Sequence, residues 1–339
     1  MPKRYLGNII TDTPTAPAGP YENDAASGVW SLAEANAYTA AGLWPTAGNS
    51  LQIALFIGRG SSDGRVIEKI DFTSQGNGTN WNGLSTTWGE YQGALGSSTR
   101  GVMAGGSTSS PQDVIGYVTF ATEGDASDFG DLTRGKYGVT GASNETRGIF
   151  AGGEMSYENT LKDIDYITIA STGNASDFGD LTFFKSGQGG GGSSTRAIFA
   201  GGSITTNPKN NVIDYVTIAT TGNATDFGDL TVARGDLGGA SSSTRLLFFG
   251  GYSTTDTNVI DYVTIATTGN ATDFGDLTVA SFAQSAASNN TLAVIDDGGY
   301  GSYDQVTIAT TGNATNWGSV LYGGGKKGAC SNAHGGLAA

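Results

Sequence analysis

The stretch NVIDYVTIATTGNATDFGDLTVA, Asn211 to Ala233, recurs without a single change at Asn258 to Ala280. An internal copy this faithful means a repeat architecture, and a repeat has to be found before any other motif is read. Its signature is an aromatic residue just before Gly in a turn rich in Asn, Asp and Thr. That signature can be followed at Trp81, Phe129, Phe178, Phe227, Phe274 and Trp317, at spacings of 48, 49, 49, 47 and 43 residues. These spacings exceed a leucine-rich or ankyrin unit and match the roughly 40 to 50 residues of a four-stranded propeller blade. Six signatures predict six blades of an all-β chain.

Composition narrows the function classes. Gly supplies 55 of 339 residues while only 14% are charged, so the chain is turn-rich, and its regular apolar runs argue against disorder. A formal charge of −14 with scattered Lys and Arg would repel a phosphate backbone, which argues against nucleic acid as a ligand. The single cysteine, Cys330, leaves no intrachain disulfide and no CxxC metal spacing. Residues 1 to 20 contain Pro14, Pro17 and Pro20 and lack a continuous apolar core, unlike a signal peptide. No run approaches 18 apolar residues, so no membrane span is expected, and synthesis and assembly in a cytoplasm are the simplest expectation.

Residues 1–47 read as a separate anchoring segment ahead of a propeller at 48–339. Residues 1 to about 27 are polar and Pro-dotted, which predicts an extended arm. GVWSLAEANAYTAAGLWP then predicts a short helix: Ser31 and Glu34 form a capping box, Gly42 is a C-cap, and Pro45 lies just beyond. Trp30, Leu32, Tyr38 and Trp44 are its candidate partner-binding residues, on one apolar side that would cover a propeller end or dock onto another subunit. In the fifth copy four apolar runs predict four antiparallel strands: Gly238 to Ser241, Arg245 to Gly251, Val259 to Ala266, and a segment around Phe274 to Val279. The second run ends in a Gly pair in RGVMAGG, RGIFAGG, RAIFAGG and RLLFFGG, starting at Arg100, Arg147, Arg196 and Arg245. Glycine suits a strand leaving a crowded centre through a tight turn. The third run, Ile213 to Ile218, is apolar or β-branched on both faces apart from Asp214, as for a strand sandwiched between blades.

These blades resemble the kelch repeat, with its Gly pair ending the second strand and an aromatic residue near the fourth. Most copies carry Phe where kelch has Trp, and the kelch Tyr before the glycines is missing. An open propeller would expose two strand edges. Leu43-Trp44-Pro45 makes a poor first strand because proline donates nothing to a ladder. Gly328-Ala329-Cys330-Ser331 is therefore expected to complete the first blade.

Catalytic constellations are sparse. His334 is the only histidine, which limits any Ser-His-Asp or Cys-His arrangement to the C-terminal end and leaves too few ligands for a kelch-type copper oxidase. Carboxylates of a glycosidase pair are placed once, whereas Asp128/Asp131, Asp177/Asp180, Asp226/Asp229 and Asp273/Asp276 recur from blade to blade. Thr225-Asp226-Phe227-Gly228 also departs from the Ser-x-Asp-x-Gly box of sialidases, and the recurring arginines do not cluster. Asp226, Asp229, Asp273 and Asp276 are candidate Ca²⁺ ligands, against the competing reading that they bond their own turns. Asn174, Asn223, Asn270 and Asn313 lie in N-A-S/T sequons and read as turn residues. The expectation is no enzyme and no cofactor.

GVWSLAEANAYTAAGLWP, together with the Gly-rich IDYVTIATTGNATDFGDL repeats, resembles tail and appendage proteins of tailed bacteriophages, including marine and cyanobacterial phages. The resemblance implies a multimeric virion protein of the tail or its fibres. Its partners would be other virion proteins through the N-terminal arm, and a host-surface glycan or receptor. A cellular kelch-like protein-binding module and a glycan-active propeller enzyme are the alternatives. The informative positions are those that break the repeat: the N-terminal segment, the insert around Glu154 to Lys162, and the sixth blade with Asp296, Asp297 and Tyr300.

Overall fold

The computed structural model describes residues 4–6, 28–30, 52–58, 66–83, 90–156, 159–203, 209–323 and 326–337. It divides into two units, 1–52 and 53–339. In the first, β1 (Arg4–Leu6) pairs antiparallel with β2 (Gly28–Trp30). One strand of this ladder lies in the segment expected to be an irregular arm and the other in the first three residues of the stretch expected to hold the helix, with Trp30 ending its strand immediately before the Ser31 cap position. The expected helix, with Leu32, Tyr38 and Trp44, lies outside the described residues.

The second unit is a six-bladed β-propeller of four-stranded antiparallel blades. Blade 1 contains β3 (Ile53–Gly58), β4 (Val66–Asp71) and β5 (Thr79–Gly83); blade 2 contains β6 (Gly93–Gly96), β7 (Arg100–Ala104), β8 (Val114–Thr119) and β9 (Ser127–Asp131). Blade 3 contains β10 (Thr140–Ser143), β11 (Arg147–Ala151), β14 (Asp163–Thr168) and β15 (Ser176–Asp180), with β12 (Glu154–Ser156) and β13 (Asn159–Thr160) as an extra hairpin between its second and third strands. Blade 4 is β16 (Gly189–Gly192), β17 (Arg196–Ala200), β18 (Val212–Thr217) and β19 (Thr225–Asp229). Blade 5 is β20 (Gly238–Ser241), β21 (Arg245–Phe249), β22 (Thr257–Thr264) and β23 (Thr272–Ser281). Blade 6 is β24 (Ser285–Ser288), β25 (Leu292–Asp296), β26 (Ser302–Thr307) and β27 (Thr315–Ser319). The inner strand of blade 1 is β28 (Gly328–Ser331), paired antiparallel with β3.

The core is six slabs, one between each pair of neighbouring blades. Each of the six signature aromatics is buried at 3–5% exposure in one slab, so the sequence period is the period of the core. Inner strands read GALG, TGAS, GGGG, GGAS, SAAS and GACS because they converge on the axis. A Cβ on Gly239 would come within 2.5 Å of the Gly190 carbonyl oxygen on the neighbouring blade. Serines stitch these strands together: the hydroxyls of Ser143, Ser241, Ser288 and Ser331 donate to the carbonyls of Gly96, Gly192, Ser241 and Ser288.

Three further contacts recur at blade junctions. At the outer edge, a side-chain oxygen of Asp125, Asn174, Asn223, Asn270, Asn313 or Asn77 accepts the N–H of Gly83, Asp131, Asp180, Asp229, Asp276 or Ser319, closing all six junctions at 2.9–3.1 Å. The signature glycine exists for this approach, since a Cβ on Gly228 would overlap the Gly269 carbonyl of the next blade. Arg100, Arg147, Arg196 and Arg245 each lie over a tyrosine of their own blade at 4.6–4.8 Å. Their guanidiniums donate to the Ile169, Ile218, Ile265 and Ile308 carbonyls one blade on.

The third contact is a buried ion pair. Lys136–Asp165 (2.9 Å), Lys185–Asp214 (2.7 Å) and Arg234–Asp261 (3.0 Å) join blades 2 to 5, and every partner is at most 1% exposed. Asp214, the one polar residue of its strand, is thus the acceptor of the preceding blade's cation. Between blades 6 and 1, Lys327 meets Asp296 at 2.7 Å and Glu68 at 3.5 Å. Between blades 5 and 6 the basic position is Ser281, and Asp304 is held by the Thr278 N–H and hydroxyl alone among the described residues.

Candidate ligand-binding face at the axial mouth

The links that carry the chain from one blade to the next inner strand meet at one end of the axis. Two residues before each inner strand stand Tyr91, Gly138, Gly187, Asp236, Ala283 and Lys326. The first five have φ between 55° and 67°, the left-handed region that a side chain normally avoids. Their amides form a rim: Tyr91 N–H donates to Lys326 O, Gly138 to Tyr91, Gly187 to Gly138, and Ala283 to Asp236, at 2.8–3.1 Å. The sharp corner is therefore a structural demand of all these blades, and glycine meets it in two of them. Tyr91 and Asp236 keep side chains there.

Those side chains face one another electrostatically. The Lys326 ammonium, 7% exposed, lies 4.0 Å from Asp236 Oδ1, beyond hydrogen-bond reach, and has no hydrogen-bond partner among the described residues. Burial pulls the Lys326 pKa down, with Asp236 opposing. Burial, then the charges of Asp236, Glu90 and Glu154, pushes the Tyr91 phenol up to about 12, so it stays a neutral donor. Tyr91 and Tyr137 stand edge to face at 6.4 Å. Tyr137 pairs through its backbone with Glu154, which opens the extra hairpin of blade 3. Burial raises the Glu154 carboxyl above its usual range, against hydrogen bonds from Tyr137 and Ser186. Beside this group, Lys209 reaches Ser203 Oγ at 2.8 Å and covers the Tyr252 ring at 5.2 Å, with the half-exposed Phe282 edge-on to Tyr252.

Behind the rim lies an axial cavity of about 50 Å³ lined by Gln188, Gln284, Lys326 and Lys327 among others. A second, of similar size, opens toward the opposite end and is reached by His334. There His334 Nε2 lies 2.9 Å from Gly96 O, and its Nδ1 accepts the Gly336 N–H at 3.1 Å. This pattern sets the neutral Nε2–H tautomer. The short 3₁₀ turn Gly335–Leu337 follows, and burial holds the His334 pKa down.

The residues singled out in the sequence fall in different places. Asp226 and Asp229 lie on β19 and Asp273 and Asp276 on β23, the outer strands of blades 4 and 5. Asp226 accepts the Gly228 N–H at 3.2 Å within its own turn. Among the described residues no three His, Cys, Asp or Glu are grouped to hold a metal ion. The sequon asparagines and the recurring arginines serve the junctions described above. The repeat-breaking positions gather instead toward the axial end: Glu154 at the rim, Asp296 on Lys327, and Asp297, whose carboxylate accepts four backbone N–H groups from Gly299 to Ser302. That network presents Tyr300 at 63% exposure.

Tyr91, Tyr137, Asp236 and Lys326 escaped the sequence reading. Residue type gave no recurring signal there: the corner column reads Tyr, Gly, Gly, Asp, Ala, Lys, and the residues on either side of it vary from blade to blade as well. No protein-family model matches this chain, and a comparison with curated proteins gave no match either.

Proposed function

We propose that this chain is a non-enzymatic structural protein of a tailed-bacteriophage particle, a kelch-like tail or tail-fibre component that displays a binding face toward the host surface. One observation carries the reading. Repeated side chains are consumed in joining blades, while the residues that break the repeat converge on one axial face. A rigid ring with one individualised face suits display, and the N-terminal unit before it suits attachment to another virion protein. Electron microscopy of particles carrying a labelled chain tests this: density at the tail supports it, and absence from particles overturns it. Deleting residues 1–47 is expected to abolish incorporation while leaving the propeller folded.

A catalytic reading would rest on Glu154, whose carboxyl is raised, acting with Asp236 as acid and base. Release of reducing ends from host polysaccharide would establish it in place of display.

A further inference from the structure

Resting on the display reading, we propose that the axial mouth formed by Tyr91, Tyr137, Glu154, Asp236 and Lys326 is a saccharide site that takes an uncharged sugar residue.

Lys326 stands within ion-pair distance of Asp236 and makes no hydrogen bond among the described residues. A buried ammonium without a hydrogen bond is costly, and at 4.0 Å the carboxylate attracts it without bonding it. A group that bridges them must accept from Nζ–H and donate to Oδ1 at once. A hydroxyl does both; a fully ionised phosphate or a carboxylate can only accept, and an ammonium can only donate. The neighbouring groups fit the same chemistry. Tyr91 and Tyr137 offer apolar ring surface with neutral phenols, suited to the C–H face and hydroxyl edge of a sugar. Glu154 adds a further acceptor, already fixed by Tyr137 and Ser186. Charge then selects among sugars: Glu90, Glu154 and Asp236 outnumber Lys209 and Lys326 around the mouth, so a uronate or sialate would meet net repulsion. The cavity behind the rim, about 50 Å³, admits a few waters or a hydroxymethyl group but not a sugar ring. The ring would therefore rest on the face and send one hydroxyl inward. The left-handed corner at Tyr91 is consistent with a side chain retained for use at a site where glycine serves the backbone in blades 3 and 4.

The test uses the full chain on an array of neutral, amino, sialylated and phosphorylated glycans, followed by calorimetry with the neutral oligosaccharide that binds. Tyr91→Gly removes the ring while easing the corner, and so keeps the fold. Lys326→Met removes the bridge donor. Binding of a neutral sugar that falls at least tenfold in both variants, and is unchanged in the outer-edge variant Asn270→Ala, supports the assignment. Binding confined to acidic glycans, no glycan binding, or neutral-sugar binding that Tyr91→Gly leaves intact overturns it. Failure of display is distinguishable from failure of the site: a protein missing from particles overturns display and leaves any measured sugar binding at the mouth in place, whereas a protein present in particles that binds no neutral sugar overturns the saccharide site alone.

Discussion

The outer edge and the axial mouth of this propeller are built from the same repeat and have gone opposite ways. At the edge, six junctions use one contact, an Asn or Asp side chain accepting a backbone N–H of the preceding blade. At the mouth, six equivalent positions carry five different residues, although the left-handed corner recurs at five of them and four amide bonds link neighbours around the rim. Where blades must fit each other, a change in one copy has to be matched by the next. At the rim, backbone alone maintains the geometry and side chains are free to diverge. Uniformity therefore marks joints, and variety marks the surface available for recognition.

This contrast can be broken or sharpened by substitution. The largest effect is expected inside the joints: Asp214→Ala leaves the Lys185 ammonium buried and unpaired and should lower stability by about 3–5 kcal/mol in denaturant unfolding. Asp304→Asn, at the junction where Ser281 stands in place of a cation, should cost no more than about 1 kcal/mol. Equal losses at the two sites would show that the ion pair is not what distinguishes them. Gly228→Ala forces a Cβ onto the Gly269 carbonyl at φ 147° and should cost about 2 kcal/mol, far more than any alanine at the rim.

A smaller, pH-dependent effect belongs to the opposite end of the axis. His334 is half-buried and held neutral, so the unfolded chain takes up a proton that the fold resists. Stability should be steady above about pH 6.5 and decline as the pH falls below it, because protonated Nδ1 would face the Gly336 N–H. His334→Gln should remove that slope from thermal melts recorded between pH 7.5 and 5. The smallest effect is Tyr91→Gly, expected to raise stability by about 0.5 kcal/mol by relieving the left-handed corner. A measurable loss instead would mean that the ring serves the rim as structure.

The six-bladed architecture was legible because each blade needs one large aromatic per slab and one glycine beside it, and both recur at a fixed interval. The Gly pair was legible too: Gly250 and Gly251 leave β21 at φ 49° and 97°. Asp214 stood out as the single polar residue of its strand. Its partner did not, because Lys185 belongs to the blade before it and the contact spans 29 residues. Thr182-x-x-Lys185 and Thr231-x-x-Arg234 hold the regularity that would have exposed it. The mouth was hidden for a different reason. These positions share no residue type: Tyr91 and Asp236 have in common only a left-handed corner, and Lys326 only its place two residues before an inner strand.

The pairing of β28 with β3 has a consequence for association between copies. Four residue pairs, Gly328–Ile57 to Ser331–Ala54, join the two ends of the ring within one blade. Were they to part, the propeller would become an open row carrying one unpaired strand at each end, and each end would fit the other end of a second molecule. Such head-to-tail pairing closes into a larger ring where the rotation allows and otherwise continues as a filament. This short ladder thus decides whether the protein remains a separate ring or polymerises, and the burial of Cys330 and Ser331 within it keeps that seam dry.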